Sequence, residues 1–352
     1  MISWQKLTSI LANLPQLRIG LLGDLFLDRY LELDSNLSEV SIETGLEAYQ
    51  VTRVRNSPGA LGTVMNNLAA LGVGRLTPVT LIGYDGQAFD LLHALEKMPV
   101  DIEHIVQDSA RLTPTYTKPL RRAANGEWRE LNRIDLRNIA PPCAASEARL
   151  LDRLSDVFTQ VDGWVVLDQV NEENWGVVTT GVREHLAALC RRHPDKPVLI
   201  DSRRRIGQFR FGMLKPNVSE CLRALGREEV AAAGDLDFAR EAALALCRQT
   251  GRPLFCTVGE AGMLVVGFDG SDSVVHVPGY PVSGPIDIVG AGDSATAGVL
   301  AAILSGASPS EAAALGNLVA SITVRQLGAT GTASPEQVRT RWQECAATNE
   351  RN

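Results

Sequence analysis

Apolar positions along this chain switch repeatedly between two spacings, and the switching predicts an α/β fold. Met1–Gln16 spaces its apolar residues along one face of an amphipathic helix, and Leu17–Gly23 is a short apolar run ending in glycine, as in a buried strand. Leu25–Glu32 stays extended. Leu61, Val64, Met65, Leu68 and Leu71 then recur at helical spacing within 59–71, with Gly72 as a stop. Leu76–Ile82 predicts a strand and Gln87–Met98 a helix. Beyond Pro141-Pro142 the alternation is regular. Helices are predicted over Ser146–Gln160, Trp175–Arg192 and Phe238–Gln249, with strands over Trp164–Leu167, Val198–Ile200, Met213–Leu214, Leu254–Val258 and Met263–Val266. Three helices close the chain, about Asp293–Leu304, Ser310–Gln326 and Pro335–Ala346. Such alternation predicts a parallel sheet covered on both faces. Two β-rich stretches, about 33–56 and 110–134, break the rhythm and predict a separate small sheet. In the second, Thr113–Leu120 and Trp128–Ile134 flank Asn125-Gly126, a hairpin signal.

Composition narrows the classes. The chain has 352 residues, 45% hydrophobic and 21% charged, which is ordinary for a globular protein. α/β folds of this length form one domain, expected here over 1–352. A net charge of −7 argues against a nucleic-acid partner, which needs a basic face. An anionic ligand must then be held by local features such as helix N-termini, arginines or a metal. Six scattered cysteines without a C-x-x-C pair predict free thiols in a reducing compartment. With no signal-peptide or membrane-span pattern at the amino end, a cytoplasmic protein with no membrane partner is expected.

Chemistry concentrates in four motifs. In Asp287-Ile288-Val289-Gly290-Ala291-Gly292-Asp293, two glycines and a carboxylate open a long apolar helix. Backbone N–H groups and the helix dipole make such a turn attractive to anions, and a carboxylate at its rim can meet a hydroxyl nucleophile. A plain helix cap by Asp293 is the alternative. In Lys215-Pro216-Asn217-Val218-Ser219-Glu220, Asn217 and Glu220 read either as a capping box or as an amide and carboxylate offered to hydrated magnesium on nucleotide phosphates. Thr257, Gly259 and Gly262 form either a tight turn or a close approach to a nucleotide. Asp24 and Asp28 follow the first strand, and Gly59 opens the next helix. Carboxylates at that sheet edge suit sugar hydroxyls, although exposed strand-end charges are common. No P-loop, dinucleotide-binding or histidine-rich metal pattern occurs.

The order of these motifs resembles the ribokinase-like (PfkB) family of carbohydrate kinases from about residue 16 to 345. The likeness is strongest to the kinase domain of the bifunctional heptose-7-phosphate kinase/adenylyltransferases. It is carried by G-D-L-F-L-D-R-Y at 23–30, S-P-G-A-L-G-T-V-M-N-N-L-A-A-L-G at 57–72, T-Y-T-K at 115–118, N-R-I-D at 132–135, V-L-I-D at 198–201, K-P-N-V-S-E at 215–220 and L-G-A-T-G-T-A-S-P at 327–335. No H-x-G-H nucleotidyl-transfer motif is present, so the kinase half alone is expected. Ala60 and Thr63 stand where the family usually has glycine and asparagine, Val289 replaces a common threonine, and Ser202-Arg203 replaces a proline and usually a lysine. These departures lie mainly on the sugar-phosphate side.

The resemblance implies a ribokinase-like three-layer α/β/α sandwich with a small β lid. It implies a kinase that uses ATP and Mg2+, with a monovalent cation and a homodimer left open, and a sugar or sugar-phosphate acceptor under the lid. Asp293 is implied as the base, with a pKa lowered by the helix N-terminus, and the amides of Gly290, Ala291 and Gly292 as anion hole. Asn217 and Glu220 are implied to hold magnesium through water, and Thr257, Gly259, Gly262 and Asn317 to line the nucleotide. On the acceptor side stand Asp24, Asp28, Gly59 and Thr63, with Lys118, Arg133 and Arg203 as candidates for a phosphate already on the substrate. Kinases of another small alcohol (a nucleoside, fructose phosphate or plain sugar) and a catalytically silent binding protein are the alternatives.

Overall fold

The computed structural model describes residues 2–122, 126–227, 235–328 and 330–349. Within them a nine-stranded sheet forms in the order Val274–Pro278, Gly262–Val266, Leu254–Thr257, Met213–Leu214, Val198–Ser202, Gly163–Asp168, Arg18–Gly23, Arg75–Gly83, Ile105–Asp108. The strands from Leu254–Thr257 to Ile105–Asp108 pair in parallel, and the first two in that order are antiparallel.

Alternate residues of each strand serve two cores, which explains why the central strands read as continuous apolar runs. Val165 and Leu167 face one side, with Leu61–Ala70, Ala291–Leu304 and Pro309–Thr323 as covering helices. Trp164 and Val166 face the other, covered by Ala144–Phe158, Thr180–Arg192, Val218–Ala224 and Leu236–Thr250. Ala291–Leu304 is fully buried from Ser294 to Ala302, so its sequence is apolar on every face. No helix among the described residues is long and apolar enough to cross a membrane, and all six cysteines are free thiols.

The small sheet exists but begins earlier than its polar stretches suggest. Its order is Ile134–Leu136, Thr115–Arg122, Leu25–Leu33, Val51–Ala60, with Trp128–Glu130 also on Thr115–Arg122. Leu25–Leu33 is therefore an inner strand of this sheet, antiparallel to Val51–Ala60 and parallel to Thr115–Arg122. Residues 34–50 form an excursion with a two-stranded ribbon, Glu39–Val40 on Glu47–Ala48. Trp128–Glu130 runs antiparallel to Thr115–Arg122, as the hairpin reading expects, while Asn125 lies outside the described residues.

Two more differences have local causes. The helix predicted from Trp175 starts at Thr180, because the Thr179 hydroxyl accepts from the Val182 amide at 3.1 Å and caps it. The strands Ile105–Asp108 and Val274–Pro278 were not predicted, and they sit at the two sheet edges, where only some positions are buried.

Candidate active site

The carboxyl ends of the central strands and the small sheet meet around the helix Ala291–Leu304. Gly290 caps that helix in the left-handed region at φ 79°. A Cβ there would lie 2.5 Å from Thr330 and 3.4 Å from Thr63, so Thr63 borders the turn. The Ala291 amide donates to the Ile288 carbonyl at 3.1 Å, which removes it from the expected anion hole. The first carbonyl-directed bond of the helix proper is from Ser294 to Gly290, leaving the Gly292 and Asp293 amides for a ligand.

Asp293 sits in the first turn, and its pKa is pushed up to about 7 by burial and then by Asp201, with Lys215 and Arg203 opposing and Asp28 adding to the rise. This corrects the expectation of a lowered pKa. The helix terminus favours the anion by a modest amount, while burial beside like charges disfavours it more.

Beneath it lies a cluster to which the motif reading gave no role. Lys215 is 3% exposed and pairs with Asp201 at 2.9 Å, and the Thr296 hydroxyl donates to Asp201 at 3.2 Å. The Lys215 ammonium lies 3.9 Å from where a Gly292 Cβ would be, so it underlies the glycine turn. Its position right after the apolar strand Met213–Leu214 was the available signal.

Asn217 and Glu220 form the full capping box, Asn217 N–H to Glu220 Oε2 at 2.8 Å and Glu220 N–H to Asn217 Oδ1 at 2.9 Å. Glu220 is pushed up to about 7 by burial and then by Asp201. Its second oxygen makes no bond among the described residues. A hard, oxygen-only donor set with a spare carboxylate oxygen fits hydrated magnesium, and a cation would offset the cost of ionising Glu220. Thr257 adjoins this box, its amide donating to the Pro216 carbonyl at 2.9 Å. Gly259 faces open space. Gly262 does not: a Cβ there would meet the Gly279 amide at 2.3 Å, so its glycine serves strand packing. Asn317 is pinned by its amide to the Val277 and Pro278 carbonyls at 3.0 and 3.1 Å, leaving its carbonyl oxygen for a ligand.

On the acceptor side Asp28 projects from Leu25–Leu33, and a Cβ on Gly59 would come within 2.7 Å of its carboxylate. Asp28 pairs with Lys118 at 3.2 Å, and Lys118 also donates to the Tyr30 hydroxyl at 3.3 Å. Arg133 forms a fork on Asp135 at 2.6 and 2.8 Å and lies 4.1 Å over the Tyr116 ring. Two of the three expected phosphate cations thus already have counter-ions. Arg203 has none among the described residues, and its charge acts on both Asp293 and Tyr116. A cavity of about 290 Å³ opens here, with Asp24, Phe26, Tyr116, Arg133, Trp175 and Arg203 on its walls. Asp24 lines it but is 2% exposed, and its carboxylate accepts from the amides of Gln169, Val170 and Val177, so it is not free for sugar hydroxyls.

A glycine-capped helix end carrying a buried carboxylate, a capping box and a small sheet beside a cavity fit the holding of a phosphoryl group against an alcohol. Residues 176–337, a little under half of the chain, match the pfkB family carbohydrate kinase profile. It is 29% identical over 336 residues to the bifunctional protein HldE of Geobacter sulfurreducens, covering 95% of this chain and 64% of that protein. It is 31% identical to that of Citrifermentans bemidjiense over 340 residues, 95% of this chain and 65% of the relative. The chain thus spans under two thirds of these relatives. Among solved structures, Escherichia coli phosphofructokinase-2 with substrates and products superposes with a TM-score of 0.67 at 19% identity, covering 94% of this chain and 99% of that one. Arabidopsis thaliana ribokinase with ribose and ATP gives 0.64 at 16%, covering 92% and 98%.

Proposed function

We propose that this sugar kinase transfers the γ-phosphoryl group of ATP to a hydroxyl of a sugar phosphate, with a heptose 7-phosphate as acceptor. The observation that carries the reading is Asp293, a carboxylate with near-neutral proton affinity at a glycine-capped helix end, near enough to Arg203 and Asp28 for their charges to act on it. The acceptor hydroxyl gives its proton to the Asp293 carboxylate as its oxygen bonds to the γ-phosphorus. The bond to the bridging oxygen breaks and ADP leaves. The Gly292 and Asp293 amides and the Lys215 ammonium would take up charge on the transferring group. Asn217 and Glu220 would hold magnesium through water, which supplies charge neutralisation on the nucleotide phosphates. Thr257, Gly259 and Asn317 would line the nucleotide, and Asp28 would orient the sugar.

The paired states of Lys118 and Arg133 favour a second reading, an acceptor without a phosphate, in which Arg203 meets another group. A phosphoryl-transfer screen with ATP and magnesium over heptose 7-phosphate, fructose 6-phosphate, plain sugars and nucleosides separates the two. Asp293→Asn should lower turnover at least ~100-fold while nucleotide binding holds. Wild-type turnover in that variant removes Asp293 from the reaction, and transfer to plain sugars alone removes the sugar phosphate.

A further inference from the structure

Two buried side chains of opposite charge hold the loop 169–177 from both sides. Asp24 accepts from the amides of Gln169 (2.8 Å), Val170 (3.0 Å) and Val177 (2.7 Å). Arg205, 6% exposed, donates to the carbonyls of Val170 and Asn171, the latter at 3.0 Å. Arg205 is itself fixed by a fork on Asp168, which is fully buried and also accepts from the Ser202 hydroxyl at 2.6 Å. That hydroxyl in turn accepts from the Arg205 amide at 3.0 Å. Consecutive peptide units of the loop are thus bonded through both N–H and C=O to side chains from two other segments, the junction after Arg18–Gly23 and the turn after Val198–Ser202. The loop can approach so closely because residue 176 is glycine: a Cβ there would lie 2.6 Å from the Asp24 carboxylate. Arg111 adds a third strut, donating to the Trp175 carbonyl at 2.8 Å.

This arrangement is expensive unless it has a use. A buried guanidinium and two buried carboxylates lose hydration, and they are retained only with all their donors and acceptors satisfied. The loop they hold forms one wall of the acceptor cavity, through Gln169, Asn171, Glu172 and Trp175. Asp168 also accepts the Arg203 amide on its carbonyl at 3.0 Å, so the same network sets where the unpaired Arg203 begins.

We propose that Asp24 and Arg205 are positioning residues that preform the acceptor wall 169–177, so that acceptor recognition depends on them and phosphoryl transfer does not. Neither touches the acceptor through a free polar atom. They act through the loop, by removing the entropy that an unpinned loop would lose on binding. The proposal rests on the kinase reading for what the wall recognises, but the pinning itself does not.

The test uses the full chain with Arg205→Lys, which keeps the charge but loses the fork and the reach to two carbonyls, and with Asp24→Asn, which keeps the shape and loses an acceptor. Both should raise the acceptor KM by ~10-fold or more, with kcat and the KM for ATP within ~2-fold of wild type. Hydrogen exchange on the same proteins should show faster exchange at Gln169, Val170 and Val177, with the amides of Leu254–Thr257 unchanged. Loop amides that stay protected overturn the proposal, as does a loosened loop with an unchanged acceptor KM, or an equal loss in kcat and both KM values. A variant too unstable for kinetics shows exchange rising throughout the sheet, and this global result also overturns it, since the role is then structural. Absence of any transfer in the wild type rejects the kinase reading, and the exchange data still decide whether the two residues pin the loop.

Discussion

At the scale of single residues, the proposed reaction turns on the proton affinity of Asp293. Its place in the chain was legible, because G-A-G-D before an apolar run puts a carboxylate on a helix rim. Its ionisation was not, because burial and Asp201, 92 positions earlier in the numbering, outweigh the helix end. The sign follows from linkage. The folded-state pKa, about 7, lies above the ordinary aspartate value of 3.8, so the folded protein holds the proton more tightly. The cost is nil at pH below 3.8, grows as pH rises through the interval, and is complete above about 7, where it reaches at most ~4 kcal/mol. Asp293→Asn should therefore stabilise the protein at pH 8 and do little at pH 4, as read by denaturant melts at both. The wild type should gain turnover as pH rises through about 7, since the base must be ionised to accept the proton. An asparagine variant no more stable than wild type at pH 8 would show that the folded protein does not raise the Asp293 pKa.

At the scale of elements, periodicity located most helices and central strands because each buries one consistent stripe or run. It failed where burial is partial. Leu25–Leu33 carries a strand pattern, but nothing local says that it leaves the main sheet for the small one; its pairing with Val51–Ala60 and Thr115–Arg122 is decided by distant residues. The helix Val218–Ala224 shows a different limit. The sequence offered a capping box or a magnesium site, and the structure contains the box. The two uses engage different oxygens of Glu220, so one substitution separates them. Glu220→Gln keeps a side-chain oxygen for the Asn217 amide and should cost ~1 kcal/mol or less in a thermal melt. If Glu220 also orients water on magnesium, the metal concentration for half-maximal activity should rise ~10-fold or more. An unchanged magnesium titration with a lowered melting temperature would leave only the cap.

At the scale of the whole molecule, the acceptor cavity exists only because two sheets face each other, and its charge balance is a property of the fold. Four arginines line it (Arg111, Arg133, Arg137 and Arg203) against three carboxylates (Asp24, Asp135 and Glu172). The resemblance offered Lys118, Arg133 and Arg203 as candidates for a phosphate, but it did not show that Asp28, on the strand beside Lys118, and Asp135, two residues beyond Arg133, already pair with the first two. Arg137 is likewise paired with Glu172 at 3.0 Å, and Arg111 donates to the carbonyls of Ala140 and Trp175. The surplus positive charge therefore rests on Arg203, whose amide and carbonyl are bonded while its guanidinium has no counter-ion among the described residues. A remote phosphate on the acceptor should be read there first. Arg203→Gln is expected to raise the KM for a sugar phosphate ~30-fold, equivalent to ~2 kcal/mol, and to leave the KM for ATP and for the same sugar without its phosphate nearly unchanged. Arg133→Ala should do less, since it breaks an existing pair with Asp135 before it removes any ligand contact. If Arg133→Ala costs more than Arg203→Gln, the Asp135 pair opens when substrate binds and the clamp is the one the motifs suggested. If neither substitution separates the phosphorylated from the plain sugar, the cavity does not read a phosphate, and the acceptor is a neutral sugar held by Asp28.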